Sequence, residues 1–365
     1  METRRTRVAR WAVLFLVVAG VCWTRPVAPA AQTWVTAEST SSAFREWIVP
    51  TAGSYPAQIA VDGQGRVWIT EQDANQLAVF DPRTEGWQEY ALPTPDGQPW
   101  GMALDGLGDV WVAERAGNKI ARFDPATEDW TEYLLPTGSQ PYDLDVRWDG
   151  TVWFTERAGG KIGKLVPATG EIAEVAVLPV GALPGSISAG SFVWFVETLS
   201  PTLGALGLAV PATFKVFPLY LPAGLALPQD LATNRAGDPW FTDAEANKIA
   251  LYRASTLGDF LQIEVPTPNS EPFGIAVASD GPVWFTERTG NKLGRFVGAE
   301  PPAEYPLPTP DSLPTGIAVD GAGCAWYTAP GANRIGRLCL LRTFLPTISR
   351  CGGCALQAPR QESGP

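Results

Sequence analysis

A tryptophan that returns at an almost constant interval constrains this chain more than any other feature. It sits in VWITE (Trp68), VWVAE (Trp111), VWFTE (Trp153), VWFVE (Trp194), PWFTD (Trp240), VWFTE (Trp284) and AWYTA (Trp326), at spacings of 43, 42, 41, 46, 44 and 42 residues. A period of about 42, carried by short β-branched and aromatic segments between Gly, Pro and Asn, is that of four-stranded propeller blades. One unit reads as strand A over 101–105 (GMALD), B over 109–114 (DVWVAE), C over 118–124 (NKIARFD) and D over 130–136 (WTEYLLP). Seven such A-B-C sets predict an all-β chain, a seven-bladed β-propeller with four-stranded blades, over residues 44–340. The D-like segments begin one unit early, since FREWIVPT (44–51) matches WQEYALPT (87–94). The N-terminal strand is therefore expected to complete the blade at 316–340 and close the ring. A rival closing strand, TFLPT at 343–347, starts only four residues after the last strand C and leaves no room for the usual turn.

Composition narrows the chemistry. The chain has 365 residues, 45% of them hydrophobic and 18% charged, which is outside the range of disorder. It contains no His. Ser-His-Asp and Cys-His nucleophiles, His-ligated zinc or iron and His general bases are thereby excluded. Lys plus Arg is 27 against 38 Asp plus Glu, a formal charge of −11 with no basic run beyond the first ten residues. Nucleic acid is not an expected partner.

Those first residues read as a targeting segment. METRRTRVAR carries four Arg, an apolar stretch runs from Trp11 to Trp23, and Ala28-Pro29-Ala30 offers a cleavage site before Ala31. Residues 1–30 are expected to be a signal peptide, too short in its apolar part to span a membrane comfortably. Its removal takes away five Arg and one Glu, leaving a secreted or extracytoplasmic chain at −15, with 341–365 as a Cys-containing tail and no stable membrane span.

Each strand B except the last ends on an acid, giving Glu71, Glu114, Glu156, Glu197, Asp243 and Glu287. In a B–C hairpin Glu114 opposes Lys119, and the same register opposes Glu156 to Lys161, Asp243 to Lys248 and Glu287 to Lys292. Opposite charges across a strand pair contribute about 0.2–1 kcal/mol, so these read as scaffold. Glu71 faces Gln76 instead, and the longer turn at 199–209 leaves Glu197 without a cation. Those two are candidates for a metal or a ligand amine, or are solvated surface acids.

A Pro-x-Gly-like step opens each strand A on the same side of the disc as these acids. Its middle residues are Ala57, Trp100, Tyr142, Gly185, Gln229, Phe273 and Thr315. Trp100, Tyr142 and Phe273, with Gln229 and the acids nearby, form a candidate site for a small molecule, a glycan or a protein, or else cap the channel mouth. The repeated Trp residues are core.

Cysteine positions allow a local inference. Cys324 and Cys339 fall at the hairpin positions that Asp109 and Asp124 take in the second unit, which makes them cross-strand neighbours and, in an exported protein, a disulfide. Cys351-Gly-Gly-Cys354 forms a second small disulfide or a redox pair, the latter without the βαβ context that such a motif needs.

The unit text P-x-G-I-A-x-D, G-x-VWFTE, NKIGR-F and EY-LPTP resembles the streptogramin B lyases, the virginiamycin B lyase family, over nearly all of 44–340. The resemblance implies a seven-bladed propeller latched in this order. It also implies an activity, metal-assisted elimination that opens the ester of a cyclic depsipeptide, with Mg²⁺ as cofactor and His as general base. The family's functional positions fall here on Phe273, Thr315, Leu313, Ala57 and Ala329. None of these moves a proton or binds a cation, so no catalytic residue and no cofactor is expected. The expected function is ligand or partner binding. The alternatives are a carboxylate-based, metal-assisted carbon-oxygen lyase or lactone hydrolase, and a structural envelope module.

Overall fold

The computed structural model describes residues 44–177, 181–198, 202–207, 215–254, 259–279, 281–298 and 300–340. The expected signal segment, part of the 199–209 turn, the rival closing strand and the tail with Cys351 and Cys354 lie outside them.

The described residues form seven four-stranded antiparallel sheets. Strand β1 (Phe44–Ile48) comes first. Blade 1 follows as β2 (Pro56–Val61), β3 (Val67–Glu71), β4 (Gln76–Asp81) and β5 (Gly86–Ala91), and blade 2 as β6 (Pro99–Leu104), β7 (Val110–Glu114), β8 (Lys119–Asp124) and β9 (Asp129–Leu134). Blade 3 is β10 (Pro141–Val146), β11 (Val152–Glu156), β12 (Lys161–Val166) and β13 (Glu171–Ala176). Blade 4 is β14 (Pro184–Ala189), β15 (Val193–Glu197), β16 (Thr202–Gly207) and β17 (Lys215–Tyr220). Blade 5 is β18 (Pro228–Thr233), β19 (Pro239–Asp243), β20 (Lys248–Arg253) and β21 (Asp259–Glu264). Blade 6 is β22 (Pro272–Val277), β23 (Val283–Glu287), β24 (Lys292–Phe296) and β25 (Ala303–Pro306). The last sheet joins β26 (Ile317–Val319), β27 (Ala325–Ala329) and β28 (Arg334–Leu338) to β1, in the order β1-β28-β27-β26. Phe44 stands opposite Leu338 and Ile48 opposite Arg334. The innermost strands pack in sequence, β2 on β6 through β22 on β26, and β26 packs on β2. This is a β-propeller. No helix among the described residues is long and apolar enough to cross a membrane.

Several sequence boundaries need correction. The inner strands begin at the Pro, two residues earlier than the 101–105 reading, because Pro99 already pairs with Glu114 across a register shift. The same irregularity follows the first Pro of β2, β10, β14, β18 and β22. A bulge there re-aims the side chains that follow it. In blade 7 the inner strand keeps only three residues.

The apolar core is a set of seams between sheets. Trp68, Leu77 and Val79 of blade 1 meet Val110, Val112 and Phe123 of blade 2, and the seam between blade 7 and blade 1 joins Trp326 and Ile335 to Ile59, Ile69 and Phe80. Trp47 of β1 enters that seam, its ring stacked 5.4 Å from Trp326. The Trp edges are anchored as well: the indole N–H groups of Trp68, Trp111 and Trp326 donate to Asp62, Asp105 and Asp320, which end the inner strands. Gly163 of β12 is required by contact, since a Cβ there would lie 2.1 Å from the Phe154 ring. Cys324 and Cys339 are disulfide-bonded, with Cα atoms 4.4 Å apart.

Candidate functional site

One face of the ring collects the starts of the inner strands and the ends of the second strands. The residues before the opening Pro at Tyr55, Gln98, Gln140, Glu271 and Leu313 all have φ between 47° and 56°. A left-handed backbone just before Pro is doubly disfavoured and persists only where the surroundings enforce it. Hydrogen bonds enforce it here: the N–H groups of Gln72, Arg115, Arg157 and Arg288 donate to the carbonyls of Tyr55, Gln98, Gln140 and Glu271.

This geometry brings some of the sequence candidates together. Trp100 and Tyr142, from adjacent blades, stack with ring centroids 5.3 Å apart, and Tyr55 lies 6.4 Å from Trp100. The Arg157 guanidinium sits 4.6 Å from the Tyr142 ring. Burial pushes the Tyr142 hydroxyl up to about 12, so it stays protonated at any ordinary pH. Three steps around the ring in either direction lies blade 6, where Arg288 covers Phe273 at 5.2 Å. Gln229 turns back, its amide donating to the Leu227 carbonyl.

The acids are placed differently from the expectation. Glu71, Glu114, Glu156, Glu197, Asp243 and Glu287 are all fully buried, so none is a solvated surface acid. Their opposition to Gln76, Lys119, Lys161, Lys248 and Lys292 is present in the register. The ion pairs are not made there. Lys119, Lys161 and Lys292 reach past to Glu132, Glu174 and Glu304 on the outermost strands, at 2.5, 2.5 and 2.6 Å. A lysine stem carries its ammonium beyond its cross-strand partner, to where a more solvated carboxylate stays ionised. The inner acid of each pair is left to burial and to the neighbouring outer carboxylate, which push Glu114, Glu156 and Glu287 up to about 7 and Glu71 up to about 8. Glu197 is tied to the scaffold by the Leu183 N–H, and Asp243 by those of Ala226, Leu227 and Ala246.

Two sets of residues on this face were missed by the sequence reading. Arg115, Arg157 and Arg288 follow the strand-ending acid in blades 2, 3 and 6, and the recurring Glu-Arg step was the signal for them. They are half-buried, and none forms an ion pair with a described residue. Asp143 and Asp230 occupy the Gly slot of the Pro-x-Gly step. They accept the N–H groups of Ile187 and Ile275 in the next blades and so act as inter-blade links, with burial raising Asp143 to about 7.

At the positions that the sequence resemblance assigns to chemistry, the side chains are apolar or bonded to the backbone. Ala57 and Ala329 are fully buried, Leu313 is apolar, Phe273 lies under Arg288, and the Thr315 hydroxyl donates to the Leu313 carbonyl. No carboxylate stands among them, so they do not fit Mg²⁺, and no step through a metal is derived at this face. Among the described residues no group of three or more His, Cys, Asp and Glu side chains could hold a metal ion.

The profile of the virginiamycin B lyase family matches residues 27–285. The chain belongs to that family. Virginiamycin B lyase from Staphylococcus aureus is 30% identical in sequence, with a TM-score of 0.76 over 82% of this chain and 99% of that one. A catalytically inactive histidine-to-alanine variant of the S. aureus enzyme, solved with quinupristin, is 29% identical over the same shares with the same TM-score. Virginiamycin B lyase from Bacillus licheniformis is 48% identical over 33 residues, which span 9% of this chain and 11% of that relative. This virginiamycin B lyase family member therefore keeps the repeat that builds the ring, while five positions that the sequence resemblance assigned to chemistry carry other residues.

Proposed function

We propose that this family member is an exported binding protein that takes a ring-bearing anion on the face described above and does not carry out the lyase reaction. The observation that supports it most is the pairing of two facts on one face. Phe273, Thr315, Leu313, Ala57 and Ala329 supply no base and no cation ligand, and Arg157 over Tyr142, Arg288 over Phe273 and Arg115 near Tyr142 have no ion-pair partner among the described residues. A guanidinium over an aromatic ring suits a ligand that is planar or pyranose-like and carries a carboxylate, sulfate or phosphate. Export is supported by the basic and apolar residues 1–30, and N-terminal sequencing of the secreted form should begin at Ala31.

The test is a thermal-shift and calorimetric panel of aromatic carboxylates, uronic acids and sugar sulfates on the mature chain. A hit should lose roughly tenfold or more in affinity in Arg157→Ala, as loss of a charged hydrogen bond does. Equal binding by Arg157→Ala and Arg288→Ala variants refutes the site. Linearisation of a type B streptogramin with Mg²⁺ above background refutes the non-enzymatic reading.

A further inference from the structure

Blades 2 and 6 share a clasp, blade 3 has it without the loop threonine, and blade 1 has it without the cation. In blade 2 the Lys119 ammonium lies 2.5 Å from Glu132 and 2.7 Å from the Thr94 hydroxyl, beside the buried Glu114. Thr94 comes from the loop leaving the previous blade and also donates to Glu132 at 2.7 Å. Blade 6 repeats it with Lys292, Glu304, Thr267 and Glu287. Two carboxyls and one ammonium thus meet where adjacent blades join.

In blade 1 the two carboxyls are Glu71 and Glu89, and the loop residue is Thr51, whose N–H and hydroxyl both donate to Glu89 at 3.0 Å. At the lysine position stands Gln76, opposite Glu71. Among the described residues no ion pair reaches Glu71 or Glu89. Glu71 is fully buried with neither oxygen hydrogen-bonded, and the Gln76 amide oxygen is likewise buried without a partner. Glu114, Glu156 and Glu287 are orphaned in the same way, but each has a lysine opposite it; blade 1 has instead the orphaned Gln76 oxygen in that lysine's place. Blade 4 has Thr202 at the lysine position and Pro218 at the outer acid position, blade 5 keeps Lys248 with Gln262 at the outer position, and blade 7 keeps Arg334 with Ala329 where the inner acid would be. Among the described blades, blade 1 alone keeps both carboxyls with no cation between them.

We propose that blade 1 binds a hard divalent cation, Ca²⁺, in the place of the missing ammonium, with Glu71, Glu89, the Gln76 amide oxygen and the Thr51 hydroxyl as its protein ligands. The donor set is all oxygen, mixes carboxylate, amide and hydroxyl, and has no nitrogen or sulfur, which suits Ca²⁺ and disfavours transition metals. The half-buried Glu89 leaves room for water to complete the coordination shell. The ion would sit at the joint between the sheet that carries β1 and the first complete blade, because Thr51 directly follows β1. It uses none of Arg115, Arg157 and Arg288, so its test stands or falls separately from the binding function.

The repeat itself supplies the decisive variant. Gln76→Lys restores the ammonium that blades 2, 3 and 6 use, and Glu71→Gln removes one ligand charge without changing shape. In metal-stripped buffer, Ca²⁺ should bind the mature wild-type chain in equilibrium dialysis at one ion per chain and raise its melting temperature. Gln76→Lys should melt higher than wild type without Ca²⁺ and gain nothing from it, and Glu71→Gln should bind at least tenfold more weakly. Absence of Ca²⁺ binding by the wild type, unchanged affinity in either variant, or an equal response to Na⁺ or K⁺ overturns the proposal.

Discussion

At the scale of single residues, the repeat gives many polar side chains a backbone partner in the next turn or blade. Asn118 shows the pattern. It sits at φ 57°, its amide donates to the carbonyls of Leu135 and Pro136 at 2.9 Å, and its oxygen accepts the Gln140 N–H. Asn118→Ala should cost roughly 2–4 kcal/mol in urea unfolding, from three lost hydrogen bonds and a Cβ in the left-handed region, and Asn118→Gly should cost about 1 kcal/mol less. Equal losses for the two would mean that backbone conformation is not part of the effect. Glu287 makes the charge case. Burial and the Glu304 charge raise it from 4.5 to about 7, so the folded chain holds a proton that the unfolded chain releases. The stability tied to that proton is fully present below about pH 4.5 and is lost as the pH rises to about 7. Its upper bound is roughly 3 kcal/mol. Glu287→Gln removes the titration, so the variant's melting temperature relative to wild type should be higher at pH 8 than at pH 5. A difference that is the same at both values counts against a raised acid.

At the scale of elements, the strands and their hairpin registers were legible because Trp, Gly, Pro and Asn recur at fixed offsets. The Cys324–Cys339 pair followed from one such offset. What the spacing could not give is where a long side chain ends. Lys119 opposes Glu114 in the register and still pairs with Glu132, since an opposed position fixes a Cβ and not an ammonium four bonds farther out. The arginine face was hidden for a related reason. The Pro-x-Gly residues could be placed on one side of the disc, but only the three-dimensional ring brings Arg157 over Tyr142 and sets Trp100 beside it. Two elements carry their own predictions. Deleting residues 31–50 removes β1 and leaves the β28 edge unpaired, so the truncated chain should aggregate in size-exclusion chromatography at concentrations where the parent does not. Replacing Cys324 and Cys339 by Ser should lower unfolding stability by roughly 2–4 kcal/mol, chiefly by freeing the unfolded chain. Recovery of a Cys339–Cys351 peptide under non-reducing digestion would contradict the pairing itself.

For the whole molecule, a ring of near-equal sheets opens first wherever its joints are weakest, and two places compete. The seam between blade 7 and blade 1 is closed by β1, a strand distant in sequence from its partner, and blade 7 lacks the inner acid at Ala329. Blade 4 lacks more. Val196 stands where Thr70, Thr155, Thr242, Thr286 and Thr328 bond a carbonyl of the next blade, Thr202 stands at the lysine position, and Pro218 removes an N–H from the outer strand. The chain-end seam has compensations that the described residues of blade 4 do not show. Trp47 fills it, Asn333 bonds the carbonyls of Val49 and Thr51, and the disulfide holds β27 to β28. Opening should therefore begin in blade 4 in the oxidised protein, with β17 exchanging its amides faster than the outer strands β5, β9, β13 and β21. Reduction removes the covalent staple from blade 7 alone, so β28 and β1 should then lose protection while β17 is unchanged. Hydrogen-exchange mass spectrometry with and without reductant distinguishes the two joints, and faster exchange in β1 than in β17 while the disulfide is intact would show that sequence distance between paired strands outweighs the missing blade-to-blade links.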